Sequence, residues 1–447
     1  MKPSILKGTR DFLPSQVIKR QYIFSAIKKV FQNYGYVPIE TPVMEKLSTL
    51  TGKYGDEGDQ LLFKVLNNGD YLSKADEQAL EERDSKKLAS SISKRGLRYD
   101  LTVPFARFVA MHQNDISFPF KRYQIQQVWR GDKPQKGRYQ EFYQCDADVV
   151  GSDSLMYEAE LVKIFDDVYR DLKINVTIKV NNRKVLFGIA EACGIKDKFV
   201  EMTVAIDKVD KIGKEGVIRE MISKDIDEDT ALKVLTFFDV DNLTKLEELF
   251  ANSPTGLKGV EELREFHKYL DLSETHNEIK FDISLARGLS YYTGFIVEVQ
   301  AKDVQIGSIG GGGRYDDLTS SFGLNGVSGV GISFGAARIY DVMEELSLFP
   351  EAIDQTLKVL LIALDNETHK YAFKLCSQLR AKSISTDLYP VPAKLKKQMK
   401  YANQINVPFT IIIGSDEMES ETFSLKNMLT GDQVKCQFDE LVNLLSE

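Results

Sequence analysis

Between Lys121 and Gly151 the chain brings together residue types that could bind and orient an anionic substrate. The stretch reads as two strands and a loop: KRYQIQQVWR, then GDKPQKGRY, then QEFYQCDADVVG. Alternation in the second strand puts Phe142, Gln144, Asp146 and Asp148 on one face, and Tyr143, Cys145, Ala147 and Val149 on the other. The first set offers an aromatic ring, an amide and two carboxylates, while the second is a ready core face. Arg130 and Asp132 stand where the loop begins, and Lys133, Lys136 and Arg138 follow, with glycines that let backbone approach an anion closely. The same alternation suits a solvated outer face on an antiparallel hairpin with a charged turn, so the pattern alone leaves both open.

Three other segments carry polar groups near strand ends. In FDISLARGLSYYTGF, Phe281, Ile283 and Leu285 alternate as in a strand, and Arg287 then enters a glycine turn beside Tyr291 and Tyr292. Arg287 could equally be half of a buried ion pair, and strand-end tyrosines are often packing residues with satisfied hydroxyls. YDLTVPFARF holds Asp100 and Thr102, and for Asp100 a turn or strand-edge cap is the plain alternative. SIGGGGRYDDL has consecutive glycines that would admit a small ligand, with Tyr315 nearby, but alone the run reads as a flexible turn.

These residues need elements to position them. Residues 16–34 place Val17, Ile23, Ile27, Val30, Phe31 and Tyr34 at helical spacing, ended by Gly35. Pro38 and Pro42 bracket an extended piece, VPIETPV, in which a regular central strand would be difficult. Residues 74–95, rich in Lys, Glu, Asp and Ser, read as an exposed helical or mobile insert, and 98–151 as strand-like. A helix over 155–172 precedes a strand through Ile174, Val176, Ile178 and Val180, and 182–275 is mostly helical and charged. Strands resume over 279–300, and a glycine-rich stretch covers 307–335. After Pro350, strands and helices alternate as in a small α/β domain with a partly parallel sheet.

Composition narrows the class without giving a function. Hydrophobic content of 43% and charged content of 28% suit an ordinary soluble globular protein. Apolar runs such as Val359 to Leu364 are strand-length and cannot span a bilayer. MKPSILKGTRDF has no apolar signal region, so secretion is not expected. Four dispersed cysteines (Cys145, Cys193, Cys376, Cys436) without Cys-x-x-Cys, and only four histidines, disfavour a structural zinc site or a disulfide framework and favour a reducing cytoplasm. A net charge of −8 argues against whole-surface attraction to nucleic acid, though a local basic surface would suffice.

Taken in order, these segments resemble those of histidyl-tRNA synthetases, within the class II aminoacyl-tRNA synthetases. The hairpin resembles motif 2, GYVPIETPVMEK motif 1 and GVGISFGAARI motif 3, while RGL-x-YY and YDLTVPFARF resemble the histidine-site segments. The resemblance implies an α+β catalytic domain on an antiparallel sheet (1–181 and 276–348), a mostly helical insertion (182–275), a linker (349–354) and an α/β anticodon-binding domain (355–447). It implies ATP contacts from Arg130 (α-phosphate), Asp132 (adenine amine), Arg138 (terminal phosphates), Phe142 (adenine stacking) and Arg338. Histidine would be held by Asp100, Thr102, Arg130, Gln144, Asp148, Arg287, Tyr291 and Tyr292, with Arg130 and Arg287 catalytic. Three positions depart from the common family pattern: Asp132 for Glu, Ser290 for Asp, and Ala337 where an acidic residue is frequent.

The implied activity joins L-histidine to histidine tRNA through an adenylate, using ATP with Mg²⁺ on its phosphates and no dedicated protein metal site. A cytoplasmic homodimer is implied, with Pro42 at its interface, no membrane association, and Lys394, Lys396, Lys397 and Lys400 suited to RNA phosphates. The lysines by themselves read as a solvated face. The rivals are a non-catalytic relative, such as the regulatory subunit of ATP phosphoribosyltransferase or the sensor domain of starvation kinases, and a synthetase for threonine or proline. The C-terminal domain and the retained arginines disfavour the first, and RGL-x-YY the second.

Overall fold

The computed structural model describes residues 2–446 other than 136, 241, 287–290 and 352, with the backbone alone at 55–57. It divides into two compact units, Met1–Leu348 and Phe349–Glu447.

The first unit is built on an eight-stranded sheet. Its strands are β1 (Val37–Pro38), β5 (Phe120–Trp129), β6 (Glu141–Val150), β7 (Val176–Asn182), β8 (Glu278–Phe281), β9 (Phe295–Ala301), β10 (Gly310–Tyr315) and β11 (Gly329–Phe334). They lie in the order β1-β5-β6-β11-β10-β9-β7-β8. A small second sheet holds β2 (Met44–Lys46), β3 (Lys64–Val65) and β4 (Arg95–Leu97). The main sheet is antiparallel through its centre, whereas the outermost pairs, β1 with β5 and β7 with β8, are parallel. It is therefore mixed rather than purely antiparallel. Two-residue β1 sits at the edge, where Pro38 removes no needed ladder bond.

Helix α1 (Pro14–Asn33) starts on a proline, whose missing N–H costs nothing there, and buries Ile23, Ile27, Val30 and Phe31 on one face. It packs against α3 (Met156–Asp171) and α6 (Ala336–Glu345). Helix α2 (Thr102–Met111) interrupts the stretch expected to be strand-like. Its valines and aromatics give it the composition of a strand, but Val103, Phe105, Ala106 and Val109 are buried at helical intervals. Pro104 falls in the first turn, and the Asp100 carboxylate accepts from the Val103 N–H at 3.1 Å. The strand expected through Leu285 stops at Phe281, because Asp282 bonds the backbone and hydroxyl of Ser284 and turns the chain.

Between β3 and β4, residues 77–81 and 85–92 form two short helices capped by Asp76 and Asp84, as the charged composition suggested. A helical region runs from α4 (Arg183–Ala192) to α5 (Pro254–Leu270), within the first unit. The second unit has β12 (Val359–Ala363), β13 (Thr386–Leu388), β14 (Phe409–Ile413), β15 (Phe423–Asn427) and β16 (Gln433–Cys436), in the order β13-β12-β14-β15-β16. The first three are parallel and the last two antiparallel. Helices α7 (Asn366–Ala381), α8 (Leu395–Gln404) and α9 (Phe438–Ser446) complete it, and Lys394, Lys396, Lys397 and Lys400 are exposed.

Candidate functional site

A cleft with about 850 Å³ of empty space opens on the first unit, lined by Arg130, Asp132, Arg138, Phe142, Gln144 and Arg338 among others. Strands β5 and β6 deliver Arg130, Phe142 and Gln144 to it, and the first turn of α6 delivers Arg338. The Arg130 guanidinium lies 4.4 Å from the Tyr99 ring centre and 5.2 Å from that of Phe142, while its Nε donates to the Tyr99 carbonyl at 3.0 Å. Arg338 donates to the carbonyls of Gly137 (2.9 Å) and Ser308 (2.6 Å), tying the hairpin loop to the segment that precedes β10. Arg138, half exposed, pairs with Asp132 at 3.0 Å. A planar guanidinium stacked on rings and a half-exposed one on a loop are well suited to a nucleotide and its phosphates.

The remaining expected residues form a buried cluster beside this cleft. Asp100, 1% exposed, accepts from the hydroxyls of Tyr54 (3.0 Å) and Tyr291 (3.2 Å). It bonds the first turn of a helix, where the plainer reading had a turn or strand-edge cap, and is also a partner of the tyrosines. Tyr291 and Tyr292 meet edge-on with ring centres 5.0 Å apart, and Tyr291 lies 6.1 Å from Tyr315. Tyr315 donates to Asp148 Oδ1 at 2.6 Å. Thr102 opens α2 next to Asp100. Gln144 bridges cleft and cluster, its amide donating to the Ser333 hydroxyl at 3.0 Å while its buried Oε1 has no hydrogen-bond partner. Arg287 and Ser290 lie outside the described residues.

Burial governs the charges of this cluster. It raises the carboxyls of Asp100 and Asp148, although the Val103 N–H and Arg130 oppose this at the first and Arg122 at the second. Burial, with the charge of Asp148 nearby, pushes Asp146 up to about 7 against the pull of Arg122. Burial also raises Tyr291, Tyr292 and Tyr315, which therefore act as neutral hydroxyl donors at physiological pH.

The four-glycine run is not a turn. Gly310–Tyr315 is β10, an inner strand of the sheet, and a Cβ at Gly313 would stand 2.9 Å from the Tyr292 ring. Gly313 makes room for Tyr292 and Gly310 for Phe165, while Gly311 and Gly312 sit against the backbone of the neighbouring strands. Sequence reasoning passed over Arg122, Tyr54 and the hydroxyl role of Tyr315. The signal for Arg122 was available: alternation along KRYQIQQ puts Arg122, Gln124 and Gln126 on one face, and the register sets them opposite Asp148, Asp146 and Gln144.

Elsewhere, ligand atoms of Asp166, Asp167 and His276 lie within 4.8 Å of one another. Asp166 is already engaged by Lys163 (2.7 Å), by the backbone N–H groups of His276 and Asn277, and by the Asn277 amide (2.9 Å). Its role is to fasten the end of the helical region to α3.

An arginine-lined cleft on a mainly antiparallel sheet is thus joined, in one chain, to a small α/β unit. The sequence profile described as "Histidyl-tRNA synthetase" matches residues 8–74 and 67–339, and that described as "Anticodon binding domain" matches 358–447. The chain is 52% identical to a protein of Cytophaga hutchinsonii named histidine–tRNA ligase, over 99% of both chains. It is equally similar, at 52%, to one of that name from Bacteroides fragilis (strain YCH46), over 100% of this chain and 99% of the other. The crystal structure of histidyl-tRNA synthetase from Nostoc sp. PCC 7120 superposes with a TM-score of 0.84 at 29% identity, covering 100% of this chain and 99% of that one. The chain belongs to the histidyl-tRNA synthetase family.

Proposed function

We propose that the first unit activates L-histidine with ATP and passes the histidyl group to the 3′ end of histidine tRNA, with the second unit contacting that tRNA. The observation that carries this reading is Arg130, stacked between Tyr99 and Phe142 at the seam of the cleft and the Asp100 cluster. In the first step a carboxylate oxygen of histidine attacks the α-phosphorus, and the bond to pyrophosphate breaks. A terminal ribose hydroxyl of the tRNA then attacks the histidyl carbonyl, and AMP leaves. The attacking groups belong to the substrates, so catalysis is alignment together with stabilisation of growing negative charge.

On this reading Phe142 stacks on adenine, Arg130 meets the α-phosphate, Arg138 the terminal phosphates, and Arg338 the nucleotide from the opposite wall. Asp132 reaches the adenine amine once Arg138 has exchanged it for phosphate. Asp100 and Thr102, with Gln144, receive the α-amino group, and Asp148 and Tyr292 the imidazole. Arg287 is assigned to the reacting phosphate by resemblance. Among the described residues lining the cleft Asp132 is the one carboxylate, and it is paired with Arg138 and assigned to adenine, so a Mg²⁺ ion would be carried by the triphosphate oxygens rather than by a resident protein site. When present, that ion supplies positive charge to the phosphate oxygens. A polar pocket that hydrogen-bonds its substrate rejects isosteres lacking those groups by roughly 10⁴–10⁵, so no editing activity is needed. We further propose a cytoplasmic homodimer with Pro42 at its interface.

The test is ATP–pyrophosphate exchange with each of the twenty amino acids, followed by charging of bulk tRNA. Exchange with histidine alone is expected. Exchange driven by another amino acid, or by none, would overturn the reading.

A further inference from the structure

We propose that Arg122 is a positioning residue for the histidine ring, keeping Asp148 ionised and aimed although a second carboxylate, Asp146, is buried beside it. The proposal rests on the reading of Asp148 as the acceptor for the imidazole.

Arg122 stands directly opposite Asp148 in the β5–β6 ladder, and its Nη2 lies 2.7 Å from Asp148 Oδ2. Its side chain is 0% exposed and that of Asp148 3%. The guanidinium is held from two further directions, by Gln124 Oε1 at 3.3 Å and by the Phe105 ring of α2, whose centre lies 4.2 Å away. The other titratable groups around Asp148 are Asp146 on β6, Tyr315 on β10, Tyr292 before β9, Tyr36 before β1 and, farther off, Asp100 before α2. Among these described groups Arg122 alone carries positive charge.

Two carboxylates therefore share a buried face with the Arg122 guanidinium, and the buried Arg98, which donates to Gln126 Oε1 at 3.1 Å, adds positive charge toward Asp146. Residues two apart on one face of a strand are roughly 7 Å apart, close enough for each carboxylate to disfavour ionisation of the other. Arg122 resolves the competition in favour of Asp148, which it touches, and leaves Asp146 as the group that holds a proton more readily. Without the guanidinium, a proton on Asp148 would fall on Oδ2, since Oδ1 already accepts from Tyr315 at 2.6 Å. The acceptor for the ring N–H would then present a hydrogen of its own, and histidine would lose its partner while ATP kept all of its contacts.

Full-length variants assayed by pyrophosphate exchange between pH 6 and 9 test this. For Arg122→Gln the histidine KM should rise about 10²-fold near pH 7, the scale of one lost hydrogen bond to a charged group, with little change in the ATP KM. The loss should shrink as pH rises and Asp148 regains its charge. Adding Asp146→Asn to Arg122→Gln should restore about tenfold of it, by removing the competing charge. Arg122→Lys should keep more histidine affinity than Arg122→Gln. A histidine KM that stays high at every pH, or a double variant no better than Arg122→Gln, would make Arg122 a packing residue only and overturn the proposal. If Arg122→Gln does not fold, Asp146→Asn alone decides: the acidic limb of kcat/KM for histidine should move to lower pH, and an unmoved limb overturns the proposal. A wild type without histidine-dependent exchange, or Asp148→Asn with unchanged histidine KM, would instead sink the underlying reading.

Discussion

Replacing Gly331 with alanine tests the histidine cluster with the smallest possible perturbation. Gly331 on β11 pairs with Asp148 on β6, and a Cβ there would stand 1.9 Å from Asp148 Oδ1 and 2.4 Å from its Cγ. That is about 1.5 Å short of the 3.4 Å at which ordinary contact begins. The backbone cannot retreat without opening the central ladder, so the carboxylate has to swing away. It then gives up the Tyr315 hydroxyl at 2.6 Å and the Arg122 guanidinium at 2.7 Å. The histidine ring then loses its charged acceptor, and one hydrogen bond to a charged group contributes about 1.5–3 kcal/mol, so a rise of roughly 10–10²-fold in histidine KM is expected. Overpacking should cost a further 1–3 kcal/mol or so of folding stability. Neither residue lines the nucleotide cleft, so the ATP KM should move only a few-fold. Pyrophosphate exchange with histidine and ATP varied separately, alongside urea unfolding, measures all three. A folded Gly331→Ala protein with near-normal histidine KM would refute Asp148 as the ring's partner.

Other outcomes follow from buried charge and from the two-unit division. Burial alone would raise the Asp166 carboxyl, but bonds from Lys163, Asn277 and the backbone of His276 outweigh it and hold the group at about 2. Because this value lies below the unfolded one, the stabilisation is present above pH 4 or so and lost as pH falls toward 2; Asp166→Asn should cost about 2 kcal/mol at neutral pH and almost nothing at the acid end, read from Tm against pH. Arg314→Met leaves Glu158, 0% exposed, without its cation and should cost roughly 3–5 kcal/mol by calorimetry, with Glu158→Gln recovering part. Ending the chain at Leu348 should preserve histidine-dependent exchange while tRNA charging falls steeply, since every assigned adenylate-site residue precedes that point. Equal loss of both activities in a folded truncation would count against the division of labour.

The hairpin of residues 120–150 is legible in sequence because alternation and a glycine-punctuated loop are local signals. Local signals also mislead. Valines and aromatics in TVPFARFVAM imitate a strand, and only the cap from Asp100 and the burial period show α2 to be a helix. The run Gly310–Gly313 imitates a turn, because the tyrosine ring that requires a bare backbone comes from a segment some twenty residues away. Which groups touch across β5, β6 and β11 depends on register. Alternation therefore gives the face of Arg122 and Asp148 but not their 2.7 Å contact. The carboxylates read as ligand groups from their types, whereas their raised protonation follows from burial, which no single segment encodes.

The helical region between α4 and α5 leaves the end of β7 and returns to the start of β8, which runs parallel beside it, with Thr177 opposite Glu278 and Val180 opposite Phe281. Parallel neighbours cannot be closed by a tight turn; they need a crossover of a dozen or more residues that travels back along the sheet. Helices α4 and α5 make that journey, packed so tightly that a Cβ on Gly188 would meet Gly256 Cα at 2.5 Å. The region is therefore the return path between two neighbouring strands, not an excursion that could be snipped out. Residues 193–253 join the two helices, and a deletion reaching into either helix would leave β8 without its connection to β7.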